Sequence, residues 1–400
     1  MTLIPFAKQN LRLNEALPFG LRDAGGRLLL SAGTRIAHEE ALTGLLAGEL
    51  FADETESSEW RRRLAGAMDA KMLQNASLQE ITQARPDAER EKKAAREPSL
   101  SEQWSEAVLI LDAALRDVHP ATPWLQRLLA VHERALRLYE RKPDASLYWL
   151  IYQAGNSTQH YSSSHALLCM LMARDTAQRL EWPEAMVRSL TLAALTMNVA
   201  IRRLMDQLAA ADRHISADNR ADILAHPEQS ARMLASAGVA DKLQIGIVRL
   251  HHDDSLKHRP LDQLDDTQRG ARLLRRVDIF TAKLSRRANR TPMSPVQAAR
   301  EACLGATGVP DEIGGALLKA VGLYPPGSFV ELVSGECGIV IARGRQANMP
   351  VVAALIGVAG TPLGVPAMRD TADRRHAVKC AVRSTAVRVV PPHEALMGMR

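Results

Sequence analysis

The sequence predicts a mainly α protein: an all-helical central domain with a small α/β module before it and a small β-rich unit after it. Two patterns carry this reading. Across residues 100–152, Leu109, Leu111, Leu115, Leu125, Leu128, Leu129, Leu136 and Leu138 recur near the 3.6-residue period of helices with one apolar face. Further on the pattern changes: residues 329–333 and 338–342 alternate or run apolar about Ser334-Gly335, as the strands of a hairpin do.

Taken in order, residues 1–59 form the small α/β module. Gly25-Gly26 marks a turn, Arg27 to Leu30 a short strand, Ala32-Gly33-Thr34 a second turn, and residues 38–50 a helix. Residues 60–99 begin with a helix over 60–83, led in by the acidic patch of 49–59. They end in a charged linker over 85–98, too poor in large apolar residues to offset the entropy of ordering it. Residues 100–152 form a helical connector, broken at Pro120 and Pro123, with Trp104, Trp124, Tyr139, Tyr148 and Trp149 as core or packing residues. Residues 153–325 form the central helical domain. The β-rich unit occupies 326–400, with further strands near 351–356 and 382–389.

Composition narrows the function. Four hundred residues suit two or three domains, and 46% hydrophobic residues suffice for buried cores. Aromatic residues make up only 4%, which argues against a base-stacking surface for single strands. A formal charge of +6 is no DNA-binding signal at this length. The exception is local: from Arg269 to Arg290 eight basic residues face one acid, Asp278, and such a run either attracts phosphate or forms a solvated helix face. Cys169, Cys303, Cys337 and Cys380 fit no zinc or redox spacing and read mostly as buried thiols in a reducing compartment. No signal peptide is legible. The one uncharged run of spanning length, residues 346–368, holds three prolines and three glycines and reads as a strand, a turn and a loop. The expectation is a soluble, cytoplasmic protein.

The chemistry concentrates in the central domain. His165, His226-Pro227, His251-His252 and Asp278 fall on what read as successive helices, interleaved with L-A-A-L-T-M-N, A-H-P-E-Q-S-A-R-M-L, V-R-L-H-H and R-R-V-D-I-F-T-A-K-L-S. The series closes with Y-P-P-G-S-F-V-E-L-V-S-G-E-C-G-I-V. Over residues 159–344 these phrases, in this order, resemble the HD-GYP family, a branch of the HD metal-dependent phosphohydrolases whose members commonly hydrolyse cyclic di-GMP. The resemblance implies an all-helical metal-binding domain, with His165, His226, His251, His252 and Asp278 matching metal ligands.

The departures from the family fall at its centre. Where the family has its His-Asp pair, this chain has Met197-Asn198, and Ile201 stands at the family's Lys. In the family that Asp bridges two metals, so that a shared water becomes hydroxide near neutral pH. Asn198 has the shape without the charge, and a Met thioether is a poor ligand for Fe, Mn or Mg. The second signature, E-x-x-D-G-x-G-Y-P, is replaced by Asp253-Asp254-Ser255-Leu256-Lys257-His258-Arg259-Pro260, which lacks every glycine. The expectation is therefore a catalytically degenerate signalling protein that binds partners such as GGDEF-type cyclases without hydrolysis. It requires no cofactor, though the matched residues could still hold one divalent Fe, Mn or Zn ion. Two alternatives stay open: a phosphodiesterase with an altered metal centre, and a receptor that binds cyclic di-GMP without cutting it. Arg202, Arg203 and Arg259 are the candidate phosphate-binding residues, against the plainer reading of outward-facing charge. His214, His258, His376 and His393 fit no ligand pattern.

Overall fold

The computed structural model describes residues 2–8, 11–26, 28–30, 32–36, 38–74, 76–77, 79–80, 98–212, 215–257, 259–305 and 308–399. Of the features expected from sequence, Arg27, the linker before Pro98, His214 and His258 lie outside them. The chain divides into two compact units, Met1–Ala113 and Ala114–Arg400.

In the first unit, four short antiparallel strands, β1 (Leu3–Pro5), β2 (Leu21–Arg22), β3 (Leu28–Leu30) and β4 (Phe51–Asp53), pair in the order β1-β4-β2-β3. Helix α1 (Glu39–Ala47) precedes β4, and α2 (Glu54–Leu73) follows it directly. Thus α2 starts six residues before Trp60, within the acidic patch. The Asp53 carboxylate accepts from the backbone N–H groups of Thr55 and Glu56, and Glu54 and Glu56 sit at the positive end of the helix dipole. Helix α3 (Leu100–Arg116) runs across the unit boundary.

In the second unit the connector holds α4 (Trp124–Arg141) and α5 (Pro143–Asn156). The break between them, absent from the sequence reading, comes at Pro143, which opens α5 in the first turn, where its missing N–H costs nothing. The central domain follows as α6 (Tyr161–Arg179), α7 (Glu184–Thr196), a 3-10 turn (Val199–Ile201), α8 (Arg202–Ala210), α9 (Ala217–Ser236) and α10 (Lys242–Leu250). It is completed by α11 (Asp266–Leu284), α12 (Pro295–Cys303) and α13 (Glu312–Val321). Leu167 to Met172 of α6 are all fully buried, as befits a helix apolar on every side, and α6 packs against α5, α7, α8, α11 and α13. Among the described residues one run, Glu184–Ala210, is long and apolar enough to cross a membrane, yet 72% of its window is buried inside the fold.

Strands β5 (Phe329–Leu332), β6 (Cys337–Ala342), β7 (Val351–Ile356), β8 (Pro362–Asp370) and β9 (Val378–Val382) form an antiparallel sheet ordered β8-β7-β6-β5-β9, and α14 (His393–Gly398) ends the chain. The hairpin turns at Gly335, whose φ of 87° suits glycine. Two strands differ from expectation. Residues 362–370 form β8 rather than a loop. The last strand is Val378–Val382 rather than 382–389, because its register on β5 pairs Val382 with Phe329 and Val378 with Leu332, and the chain then turns at Ser384–Ala386. Arg343, just past β6, ties the sheet to the helices: it donates to Asp144 of α5, to Asp175 of α6 at 2.8 Å and to the Ala320 carbonyl of α13 at 2.8 Å.

Much of the basic run of residues 269–290 turns to partners within the fold. Arg272 and Arg276, each 7% exposed, both donate to Asp311, and Arg275 donates to Asp254 at 2.6 Å. Arg287 donates to the Tyr161 hydroxyl at 3.0 Å, and Arg290 to the Ala282 carbonyl at 2.6 Å. Much of this charge therefore serves internal packing. Of the cysteines, Cys169 and Cys303 are buried, Cys337 is half-buried and Cys380 is exposed.

Candidate metal centre

Four helices bring together the five matched residues. His165 lies on α6, His226 on α9, His251-His252 at the end of α10, and Asp278 on α11. His165 Nε2 is 2.7 Å from Asp278 Oδ1, and His252 Nε2 is 3.7 Å from Asp278 Oδ2. His226 Nε2 and His251 Nε2 are 3.1 Å apart, and the three rings of His226, His251 and His252 lie with centroids 4.4–5.0 Å from one another. Asp278 thus offers one oxygen to each side of the cluster.

Two of these histidines have their tautomers set by the backbone. His226 Nδ1 is 2.6 Å from the Ile223 carbonyl, and His251 Nδ1 is 2.6 Å from the Val248 carbonyl. A carbonyl only accepts, so both Nδ1 atoms carry protons and donate. Burial pushes the His226 imidazole down to about 4, with the nearby His252 acting in the same direction. It pushes His251 down to about 3, helped by His252 and His226. Both rings are then neutral at pH 7, and their Nε2 lone pairs face each other with no proton between them. This is a repulsive contact that a cation relieves. The backbone-fixed tautomer is also the arrangement that orients metal-ligating histidines.

His226, His251 and His252 present ligand atoms all within 4.8 Å of one another, as do His165, Cys169 and Asp278. Three imidazoles with a carboxylate oxygen nearby suit one divalent transition metal with a position left for water. Asp278 is held below the usual carboxylate range: burial opposes its charge, but the hydrogen bond from His165 and the surrounding imidazoles outweigh it. His165 is fully enclosed; burial opposes its protonation, while Cys169 and Asp278 beside it raise its pKa well above the usual value.

The positions of the missing pair fall at the α7–α8 corner. Met197 is 0% exposed, Asn198 is half-buried where the 3-10 turn begins, and Ile201 is 7% exposed. Of the candidate arginines, Arg202 pairs with Asp206 at 3.5 Å, and Asp206 in turn accepts from the backbone and hydroxyl of Ser162 in the first turn of α6. Arg203 is exposed. Arg259 is also exposed, donating to the Gln263 carbonyl at 3.0 Å, in a segment where Asp254–Leu256 and Leu261–Gln263 form 3-10 turns. His376 lies 3.5 Å from Glu336, and His393 Nδ1 lies 2.9 Å from the Tyr148 hydroxyl.

Cys169 is the site residue that the sequence reading missed. Its Sγ lies 3.4 Å from His165 Nε2. The available signal was the spacing: His165 and Cys169 stand four apart, hence on one face of one helix.

No family model matches the chain. It is 26% identical over 209 residues to "Cyclic di-GMP phosphodiesterase PA4108" of Pseudomonas aeruginosa, covering 49% of this chain and 48% of that protein. The chain therefore spans about half the length of the curated relative it matches. Among solved structures it is similar to Bd1817, an HDG"Y"P protein from Bdellovibrio bacteriovorus, at 13% identity and a TM-score of 0.44 over 79% of this chain and 98% of that one. At that score the likeness carries no argument of its own. The name of the curated relative, a cyclic di-GMP phosphodiesterase, accords with the activity that the sequence resemblance implies.

Proposed function

We propose that this HD-GYP-like chain is a cytoplasmic signalling protein of cyclic-di-GMP pathways that acts by binding partner proteins, GGDEF-type cyclases foremost, without hydrolysing the nucleotide. One observation carries the reading. Of the two metal-capable groupings among the described residues, only that of His165, Cys169 and Asp278 contains a carboxylate, and the corner where the family places its second holds Met197 and Asn198. The two-metal route to phosphodiester cleavage uses two ions about 3.5–4 Å apart that clamp the attacking and leaving oxygens. A lone carboxylate leaves two dications poorly neutralised, and an amide oxygen at Asn198 adds no charge. The histidine cluster then holds one divalent ion. That ion braces α9, α10 and α11, and with them the surface that a partner meets.

A second reading, a phosphodiesterase with an altered centre, is favoured by the curated relative and by the way Asp278 faces both sides of the cluster. Calorimetric titration of the full chain, separately with cyclic di-GMP and with a purified GGDEF cyclase, separates the classes. The proposal expects the cyclase to bind and nucleotide to be left intact. Nucleotide binding without cleavage would favour the receptor, and cleavage the enzyme.

A further inference from the structure

We propose that Cys169 is a thiolate ligand, forming with His165 and Asp278 a half-site for a thiophilic divalent cation of the zinc class. Cys169 stands outside the five positions matched to the HD-GYP ligands. This inference deepens the reading of the cluster as a metal centre and rests on it.

The geometry is close to what such an ion requires. Tetrahedral zinc with bonds of about 2.0–2.1 Å to nitrogen and 2.3 Å to sulfur places those ligand atoms roughly 3.5 Å apart. Cys169 Sγ and His165 Nε2 are 3.4 Å apart. Both are buried on one face of α6, four residues apart, so the helix stacks their side chains one turn from each other. Asp278 reaches the same nitrogen from α11 at 2.7 Å, the distance of a hydrogen bond. Nitrogen and oxygen ligands of one zinc lie roughly 3.3 Å apart, so a small rotation of the carboxylate admits the ion.

The chemistry also fits. On binding, the ion displaces two protons to the buffer, that of the Cys169 thiol and the His165 Nε2 proton that otherwise bonds Asp278, so the sulfur binds as thiolate and His165 as a neutral ring protonated at Nδ1. A second negative ligand then partly replaces the charge missing at Asn198. It does so with a soft donor, which selects zinc or cobalt over the harder manganese or magnesium. His165 and Cys169 are buried, whereas the Asp278 side chain is 15% exposed and that of His252 40%, which gives the ion an approach from solvent.

The test is cobalt substitution of the full chain after metal stripping. Co²⁺ bound by a thiolate shows a near-ultraviolet charge-transfer band that histidine and carboxylate ligands do not produce. The expected result is that band in the wild-type protein. It should disappear in Cys169→Ser. A triple variant, Cys303→Ala with Cys337→Ala and Cys380→Ala, leaves Cys169 as the sole thiol and should keep the band, which decides the matter even if Cys169→Ser does not fold. Cobalt bound without the band, or a band that survives Cys169→Ser or is lost in the triple variant, overturns the thiolate assignment while leaving the histidine cluster as a metal site. A chain that binds no cobalt overturns both.

Discussion

His226 and His251 face each other through their Nε2 atoms at 3.1 Å, each with its Nδ1 proton committed to a backbone carbonyl on its own helix. Two neutral imidazoles seldom meet lone pair to lone pair in a protein interior. The contact is stable only with a cation between the nitrogens, or at the expense of the helices that impose it.

Adding Zn²⁺ to metal-stripped protein should therefore raise the melting temperature without changing helical content. At a free concentration a hundred times Kd, a ligand bound only by the native state stabilises it by about 2.7 kcal/mol. In a unit the size of 114–400 that amounts to roughly 4–5 °C. Differential scanning calorimetry with and without chelator checks this. Far-ultraviolet circular dichroism should show the stripped protein still folded, since the core of α6, α7 and α11 is apolar and independent of any ion. An unchanged melting temperature would mean that the histidines hold nothing.

The double change Met197→His with Asn198→Asp restores the family's pair at the α7–α8 corner. Bound metal, measured by elemental analysis after dialysis, should rise by about one ion per chain. Binding should return more readily than turnover, because the glycine-rich loop is still replaced by residues 253–260, and substrate positioning is worth as much as the metal chemistry. A folded double variant with no more metal than wild type would show that this corner does not open onto the histidines.

Much of the site was legible because its residues stand in an ordered series. His165, His226, His251, His252 and Asp278 could be placed on successive helices from phrases alone, and the structure brings all five together. Cys169 was hidden because its neighbours are apolar and its spacing to the other cysteines is uninformative. Its partner is a histidine one turn away. In the fold, the hairpin about Gly335 and the leucine-striped helices followed from period alone. Strand β9 did not, since residues 378–382 and 382–389 are similarly rich in valine and only pairing to β5 chooses between them. The inward pairing within the basic run at 269–290 was not legible for a related reason: the partner of Arg272 and Arg276, Asp311, lies more than thirty residues away.

Acid should weaken the fold in a defined window. His132, 1% exposed and 2.9 Å from the Thr191 hydroxyl, has its pKa pushed from 6.5 down to about 4 by burial and by Arg188 and Arg174. Between pH 6.5 and 4 the unfolded chain binds a proton that the folded chain refuses, so stability falls as pH falls through that range. The fully developed loss is about 3 kcal/mol from this residue. His226 and His251 shift in the same direction and add to it. Urea denaturation of His132→Gln should give a shallower fall between pH 7 and pH 4 than wild type. Identical slopes would remove His132 from the account.

Asp311 carries two loads, neutralising the buried Arg272 and Arg276 and accepting from Gly314 N–H at 2.9 Å as the N-cap of α13. Asp311→Ala strands both guanidiniums and the cap, and should cost about 3–5 kcal/mol. Asp311→Asn keeps an oxygen for the cap and should cost clearly less. Equal losses in chemical denaturation would mean that charge contributes nothing there.

The central claim, a retained frame around a lost hydrolytic centre, is tested most directly by turnover. Full-length protein loaded with Fe²⁺ or Mn²⁺ is incubated with cyclic di-GMP, and the products are separated by chromatography beside a His226→Ala control. The account predicts no linear dinucleotide or GMP above that control at any metal concentration. Metal-dependent product that His226→Ala fails to make would contradict it.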